Sequence, residues 1–187
     1  MSLIETFQDL VAQVPEFVQP LIIAAAGAVP FIEGEGAAAI GIIGGIPPVV
    51  AAIAAIIGNF VCVAILVLIS AGARNAVVTR HRAKVQAREA VAVTSSGTSV
   101  PVHVDGAPEE SERKAARRAK FQRALERYGV PGVSLLGPLL LPTQFTATML
   151  AAGGIGKARI LIWQGIAIVG WTTLITLILT GVIHAVA

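Results

Sequence analysis

Glu33 and Glu35 lie two residues apart in Pro30-Phe31-Ile32-Glu33-Gly34-Glu35-Gly36, between the apolar stretches 17–29 and 37–46. A carboxylate in such a setting is costly, about 2.5–3.5 kcal/mol for a mid-bilayer charge even on the lenient insertion scale. Desolvation and mutual repulsion favour a proton on at least one of the two, which suits a proton or cation site on a permeation pathway. The plainer alternatives are that one carboxylate caps the helix starting near Gly36, or that the tip reaches the outer headgroups and both are solvated. A second tip, Pro142-Thr143-Gln144, offers a hydroxyl and an amide to a substrate or to freed backbone groups, with Thr143 as a simple helix cap the alternative. Asn59, near the middle of a long apolar run, is placed to face a polar cavity. Gln164, in the other long run, is expected to form an interhelical hydrogen bond. The candidate substrate or ion pathway is therefore Glu33, Glu35, Asn59, Thr143 and Gln144.

Other chemistries find no support in the sequence. Cys62 is the one cysteine, so no intramolecular disulfide can form. His81, His103 and His184 are scattered and make no ligand set with it, so no metal site is expected. There is no Gly-x-x-x-x-Gly-Lys-Ser/Thr loop and no legible nucleophile–base pair. No enzyme activity, cofactor or nucleic-acid partner is expected.

The elements that must position the polar residues are those of a membrane protein. Of 187 residues 55% are hydrophobic and 13% charged, with a mean hydropathy of +0.79. A soluble domain carries about 25% charged residues. The N-terminus lacks the basic region and cleavage site of a signal peptide, so no processing is expected. Residues 1–72 contain Glu5, Asp9, Glu16, Glu33 and Glu35 and no Lys or Arg, whereas 73–127 contain 12 of the 14 basic residues. The positive-inside rule puts the 73–127 loop in the cytoplasm of a cell-membrane protein.

Residues 1–16 read as an amphipathic helix lying at the interface. The first half, 17–72, breaks into a short pair (17–46) and a long apolar helix (48–72) that is sufficient to span. The loop 73–127 is basic, with a helix expected at 73–93, linker composition at 94–108 and a helix at 109–127 that could meet anionic lipid headgroups or stand in solvent. The second half, 128–187, repeats the plan with a short pair at 129–156 and a long helix at 158–183. Pro30 matches Pro142 and Gly58-Asn59 matches Gly170-Trp171 at an offset of 112, and Gly44-Gly45-Ile46 matches Gly153-Gly154-Ile155 with a slip of three. Stretches of 10–13 residues are too short to cross, since about 20 are needed. Each pair therefore reads as a re-entrant helical hairpin, and each half crosses once. The predicted fold is all-α integral membrane, an inverted repeat with both termini on the outer side and Lys157 and Arg159 inside. Trp163 fits the cytoplasmic aromatic belt, and Trp171 is expected to pack between the halves.

The run Pro30 to Ala38, Gly44 to Pro48, Gly58-Asn59, Tyr128-Gly129, Pro138, Pro142-Thr143 and the Gly153 to Trp171 region resembles the small multidrug export family. That family is similar in turn to the DedA/VTT superfamily of re-entrant-hairpin membrane proteins. The resemblance covers about 20–72 and 128–182. The family pattern sets an acid two residues before an Arg; here Glu33 matches the acid and Glu35 stands at the Arg position. The resemblance implies a small membrane transporter or exporter, proton- or ion-coupled. The alternatives are a DedA-like lipid or lipid-carrier translocase or scramblase, and a non-transporting membrane scaffold. Expected partners are membrane lipids, a small-molecule or lipid substrate, and a second copy in a homodimer, with Ala54-Gly58-Cys62 a candidate contact.

Overall fold

A computed structural model describes the backbone of residues 3–94, 125 and 128–186 and the side chains of 4–83, 125 and 128–185. The linker 94–108, the helix at 109–127 with its lipid-headgroup reading, and His103 lie almost wholly outside the described residues. The chain order is α1 (Leu3–Gln13), α2 (Gln19–Gly27), α3 (Glu33–Ile43), α4 (Pro48–Thr94), α5 (helical residues 128–136), a 3-10 turn (Gly137–Leu139), α6 (Thr143–Ala152) and α7 (Lys157–Val186). No strand occurs among the described residues.

Proline and glycine set the boundaries. Pro20 and Pro48 occupy first-turn positions of α2 and α4, where a missing N–H does no harm. The turns after α3 and α6 use Gly45 and Gly154, both at φ +87°, a conformation glycine adopts at no steric cost. The apolar run 48–72 and the basic stretch 73–93, both expected to be helical, form one helix that continues through Gly72 to Thr94. The stretch after Gly72 holds no proline and is rich in Ala, Arg, Lys and Gln, all strong helix formers, and one glycine costs only about 1 kcal/mol.

The helices α4 and α7 contain the two spans long and apolar enough to cross a membrane, Pro48–Ala83 and Lys157–Ala185. Only 28% and 22% of their most apolar windows are buried within the fold. The core helix of a soluble protein hides its apolar surface, whereas Ile53, Ile57, Ile65, Leu68 and Ile69 on α4 and Ile162, Leu177 and Val182 on α7 point outward. Lipid tails are the surroundings in which that exposure carries no penalty.

α4 serves as a ruler for everything else. Ala51 meets Gly41 of α3; Ala55 and Asn59 meet Gly27, and Gly58 meets Ala24, on α2. Farther along, Val63 and Val67 join Val130, Val133, Ala147 and Leu150 of the second half. A first apolar core gathers α1, α2, α3 and the start of α4, a second gathers α5, α6, the middle of α4 and the start of α7, and Asn59 falls between them. Arg74 reaches Gly154, where α6 ends, a favourable place for a cation near helix-terminal carbonyls.

The two halves share local geometry at one offset. Gly44, Gly45 and Ile46 donate to the carbonyls of Ile40, Ile42 and Gly41, and Gly153, Gly154 and Ile155 donate to those of Met149, Ala151 and Leu150. Each is the same helix-ending motif, 109 residues apart. The Cys62 thiol donates to the Ala28 carbonyl (3.4 Å) and the Trp171 indole to the Leu135 carbonyl (2.9 Å); the two donors are again 109 apart, the acceptors 107. The structure thus keeps the 109-residue spacing of the paired glycines rather than the 112 of the proline match. α4 and α7 run unbroken from their glycine turns, so Gly58 corresponds to Ala167, not Gly170. Pro142 directly precedes α6, whereas Pro30 lies three residues before α3. Within the Ala54-Gly58-Cys62 stripe, Gly58 and Cys62 meet Ala24 and Ala28 of their own chain.

Candidate functional site

The site begins as a backbone problem. The chain must turn between α2 and α3 within the few residues Ala28–Ile32, and it does so with Phe31 at φ +73° and Glu33 at φ +54°. Non-glycine residues in that region store about 1–3 kcal/mol each, and such strain concentrates at functional sites. The turn throws the Glu33 side chain away from its own helix, whose N-terminus receives no side-chain cap.

Glu33 instead reaches the other tip. Its Oε1 accepts from the backbone N–H of Thr143 and from the Thr143 hydroxyl, the latter at 3.0 Å. Thr143 is the first residue of α6, whose own cap position is Pro142 and supplies no side-chain bond. The carboxylate therefore caps a helix, as one alternative reading held, but the helix is α6 rather than α3. An anion at a helix N-terminus meets unsatisfied donors and a favourable dipole. Thr143 does not cap α6 by its side chain, which turns toward Glu33.

The remaining predicted residues complete a buried layer. The Thr143 Oγ lies 3.3 Å from Asn59 Oδ1 and 3.4 Å from Gln144 Oε1, and the Gln144 amide donates to Asn59 Oδ1 at 3.3 Å. One hydroxyl proton cannot serve three oxygens, so Glu33, the nearest, holds it. Glu33, Asn59, Thr143 and Gln144 are all at least nine-tenths buried. Glu35, two residues on, is half-buried, and its side chain makes no hydrogen bond to this layer.

Several buried polar groups lack partners, and of these Ser134, Thr172 and Thr176 were not singled out by sequence. Asn59 Nδ2 and the Thr172 hydroxyl both lie at the missing side chain of Gly34, and neither has a partner. Ser134 and Thr176 are buried and equally unsatisfied. The signal was present in Thr172, Thr176 and Thr180, spaced four apart on one face of α7. Gln164 is corrected: it is fully buried, but neither atom of its amide makes a hydrogen bond.

A cavity of about 500 Å³ opens between the tips. Its wall is made by Phe31–Gly36 without Gly34, by 138–142, and by Trp171 and Ile175. Phe31 and Phe145 meet at the rim, their ring centroids 6.3 Å apart. Trp171 thus sits at the junction of the halves, its indole fixed by Leu135. Trp163 packs beside the second core. Two further hollows, of about 420 and 680 Å³, are apolar grooves along α2–α4 and α4–α7. Among the described residues no group of three His, Cys, Asp or Glu could hold a metal ion.

Compared with protein-family models, curated proteins and solved structures, the chain gives no match.

Proposed function

We propose that the chain is a small membrane transporter, proton- or ion-coupled, whose substrate passes between the two tips. The supporting observation is the Glu33–Thr143 junction, where the first half caps the second beside a cavity containing two carboxylates. In this reading α2–α3 and α5–α6 are re-entrant hairpins of an inverted repeat. α4 rises about 12 Å from Ala51 to Asn59 and about 22 Å from Asn59 to Arg74, which in this reading supports a meeting of the tips inside the bilayer. Broken helices that meet near the midplane recur in secondary transporters. Irregular backbone there requires surrounding protein or a wet cavity, and the junction is buried in protein beside a cavity. The resemblance to the small multidrug export family points the same way.

Arg74, Arg80, Arg82, Lys157 and Arg159 lie toward one end of the helices, which the positive-inside rule assigns to the cytoplasm. The termini of the described chain then face outward. In a Cys62→Ala background, Lys157→Cys should resist an impermeant maleimide added outside. Labelling from outside would overturn the re-entrant reading in favour of four full spans.

Coupling has its own measurement. In proteoliposomes with a lumenal pH dye, Glu35→Gln is expected to abolish flux driven by a pH gradient. Unchanged flux in both Glu33→Gln and Glu35→Gln sinks the coupling. Movement of a labelled lipid without any gradient would replace the proposal with a translocase, and absence of all flux would leave a scaffold.

A further inference from the structure

We propose that the inter-tip cavity selects lipophilic organic cations over anions, which names the substrate class of the transporter reading and rests on it. The cavity wall is largely apolar, from Ile32, Leu139, Leu140, Leu141 and Ile175, and its only formal charges are Glu33 and Glu35. No Lys, Arg or His lines it. The described basic residues stand far off, Lys157 about 21 Å along α7 from Trp171 and Arg74 about 22 Å along α4 from Asn59. At that distance they do little to neutralise charge in a low-dielectric hollow, where unlike charges attract and like charges repel strongly.

Three further features fit a cation. Both Thr143 donors converge on Glu33 Oε1, which leaves Oε2 without either of them on a cavity-lining carboxyl group that is only 6% exposed. The Trp171 ring is part of the wall and is held in place by its N–H bond to Leu135, and Phe31 stands at the rim. Aromatic faces attract cations, most of all when both are desolvated. The volume lies in the range of pockets that enclose small organic molecules. A phosphate headgroup has the opposite needs, and would meet two acidic side chains and no basic one.

A matched pair of probes isolates the charge. Tetraphenylphosphonium and tetraphenylborate share shape and apolar surface and differ in sign. The full chain in phosphatidylcholine nanodiscs, in a Trp163→Phe background, should show saturable quenching of Trp171 by the phosphonium beyond that of empty discs. Glu35→Gln should weaken this at least about tenfold, a change of 1.4 kcal/mol, and the borate should show no saturable component. Glu35 makes no hydrogen bond to Thr143, Asn59 or Gln144, so this variant leaves the Glu33–Thr143 junction in place. Equal or tighter borate binding overturns the inference, as does phosphonium binding indifferent to Glu35→Gln. Because binding is read without flux, a protein that couples protons but ignores the phosphonium loses only the substrate class. One that binds it but moves nothing loses only the transporter reading.

Discussion

Glu33→Ala should lower the stability of the protein in detergent by about 2–3 kcal/mol, the range for a buried hydrogen bond to a charged acceptor. Two donors of Thr143 lose their acceptor at once. The hydroxyl can turn to Asn59, already 3.3 Å away, but the backbone N–H has nowhere to turn. The dipole of α6 adds to the loss, and relief of the buried charge subtracts from it. Glu33→Gln keeps an acceptor in place and should cost about 1 kcal/mol or less. Thr143→Val removes the hydroxyl and keeps the N–H, so it should cost about 1 kcal/mol. Combined with Glu33→Ala, it should add little, because the two share one interaction. Denaturant unfolding followed by tryptophan fluorescence measures all four species. A Glu33→Ala protein more stable than the parent would show that the carboxylate is held against its preference, as at strained functional sites, and the cap would not be what joins the halves.

What the sequence could reveal followed from length and charge. Apolar runs at 48–72 and 160–183 located α4 and α7 because bilayer thickness fixes the number of residues needed. Pro47-Pro48 and the paired glycines gave the helix starts and turns because their backbone constraints are local. The candidate residues Glu33, Asn59, Thr143 and Gln144 were legible as polar groups out of place in apolar surroundings, and they come together in one layer. Glu35 was legible for the same reason and stands instead on the cavity wall.

What sequence could not supply was the partner of each group. Whether Glu33 would cap α3 or α6 depends on a left-handed turn at a non-glycine residue, which no local preference predicts. Gln164 was assigned a bond on the general rule that buried amides find partners, and it is an exception. That 73–93 is helical was legible from its helix formers, but not that it would join α4 without a break across Gly72. The proline and Gly58-Asn59 matches suggested an offset of 112 and the paired glycines one of 109; the shared geometry lies in the glycine turns and in bonds made by unlike residues, Cys62 and Trp171. Small residues at 54, 58 and 62 correctly marked a close helix contact, but spacing alone is silent on which helix fills it.

That contact gives the largest effect expected from one methyl group. At Gly58 an added Cβ would lie 1.8 Å from the Ala24 carbonyl oxygen and 2.5 and 2.7 Å from its carbon and Cα. All three are backbone atoms, so no rotamer change relieves the clash and α2 must move as a unit. At Gly170, on the outer face of α7, a Cβ would meet nothing within 4 Å. Alanine raises intrinsic helix stability by about 1 kcal/mol over glycine at both positions. Gly170→Ala should therefore be neutral or stabilised by up to about 1 kcal/mol. Gly58→Ala should instead lose about 3 kcal/mol or more, the upper range for overpacking against atoms that cannot yield. The damage should spread in a definite direction. α2 leads through Ala28 and Phe31 to Glu33, so a displaced α2 pulls the carboxylate from Thr143 and widens the cavity. Gly58→Ala should thus combine poorer stability with lost phosphonium binding, while Gly170→Ala keeps both. If the two variants unfold alike, α2 is not seated on α4, and the junction of the tips loses the contact that positions it.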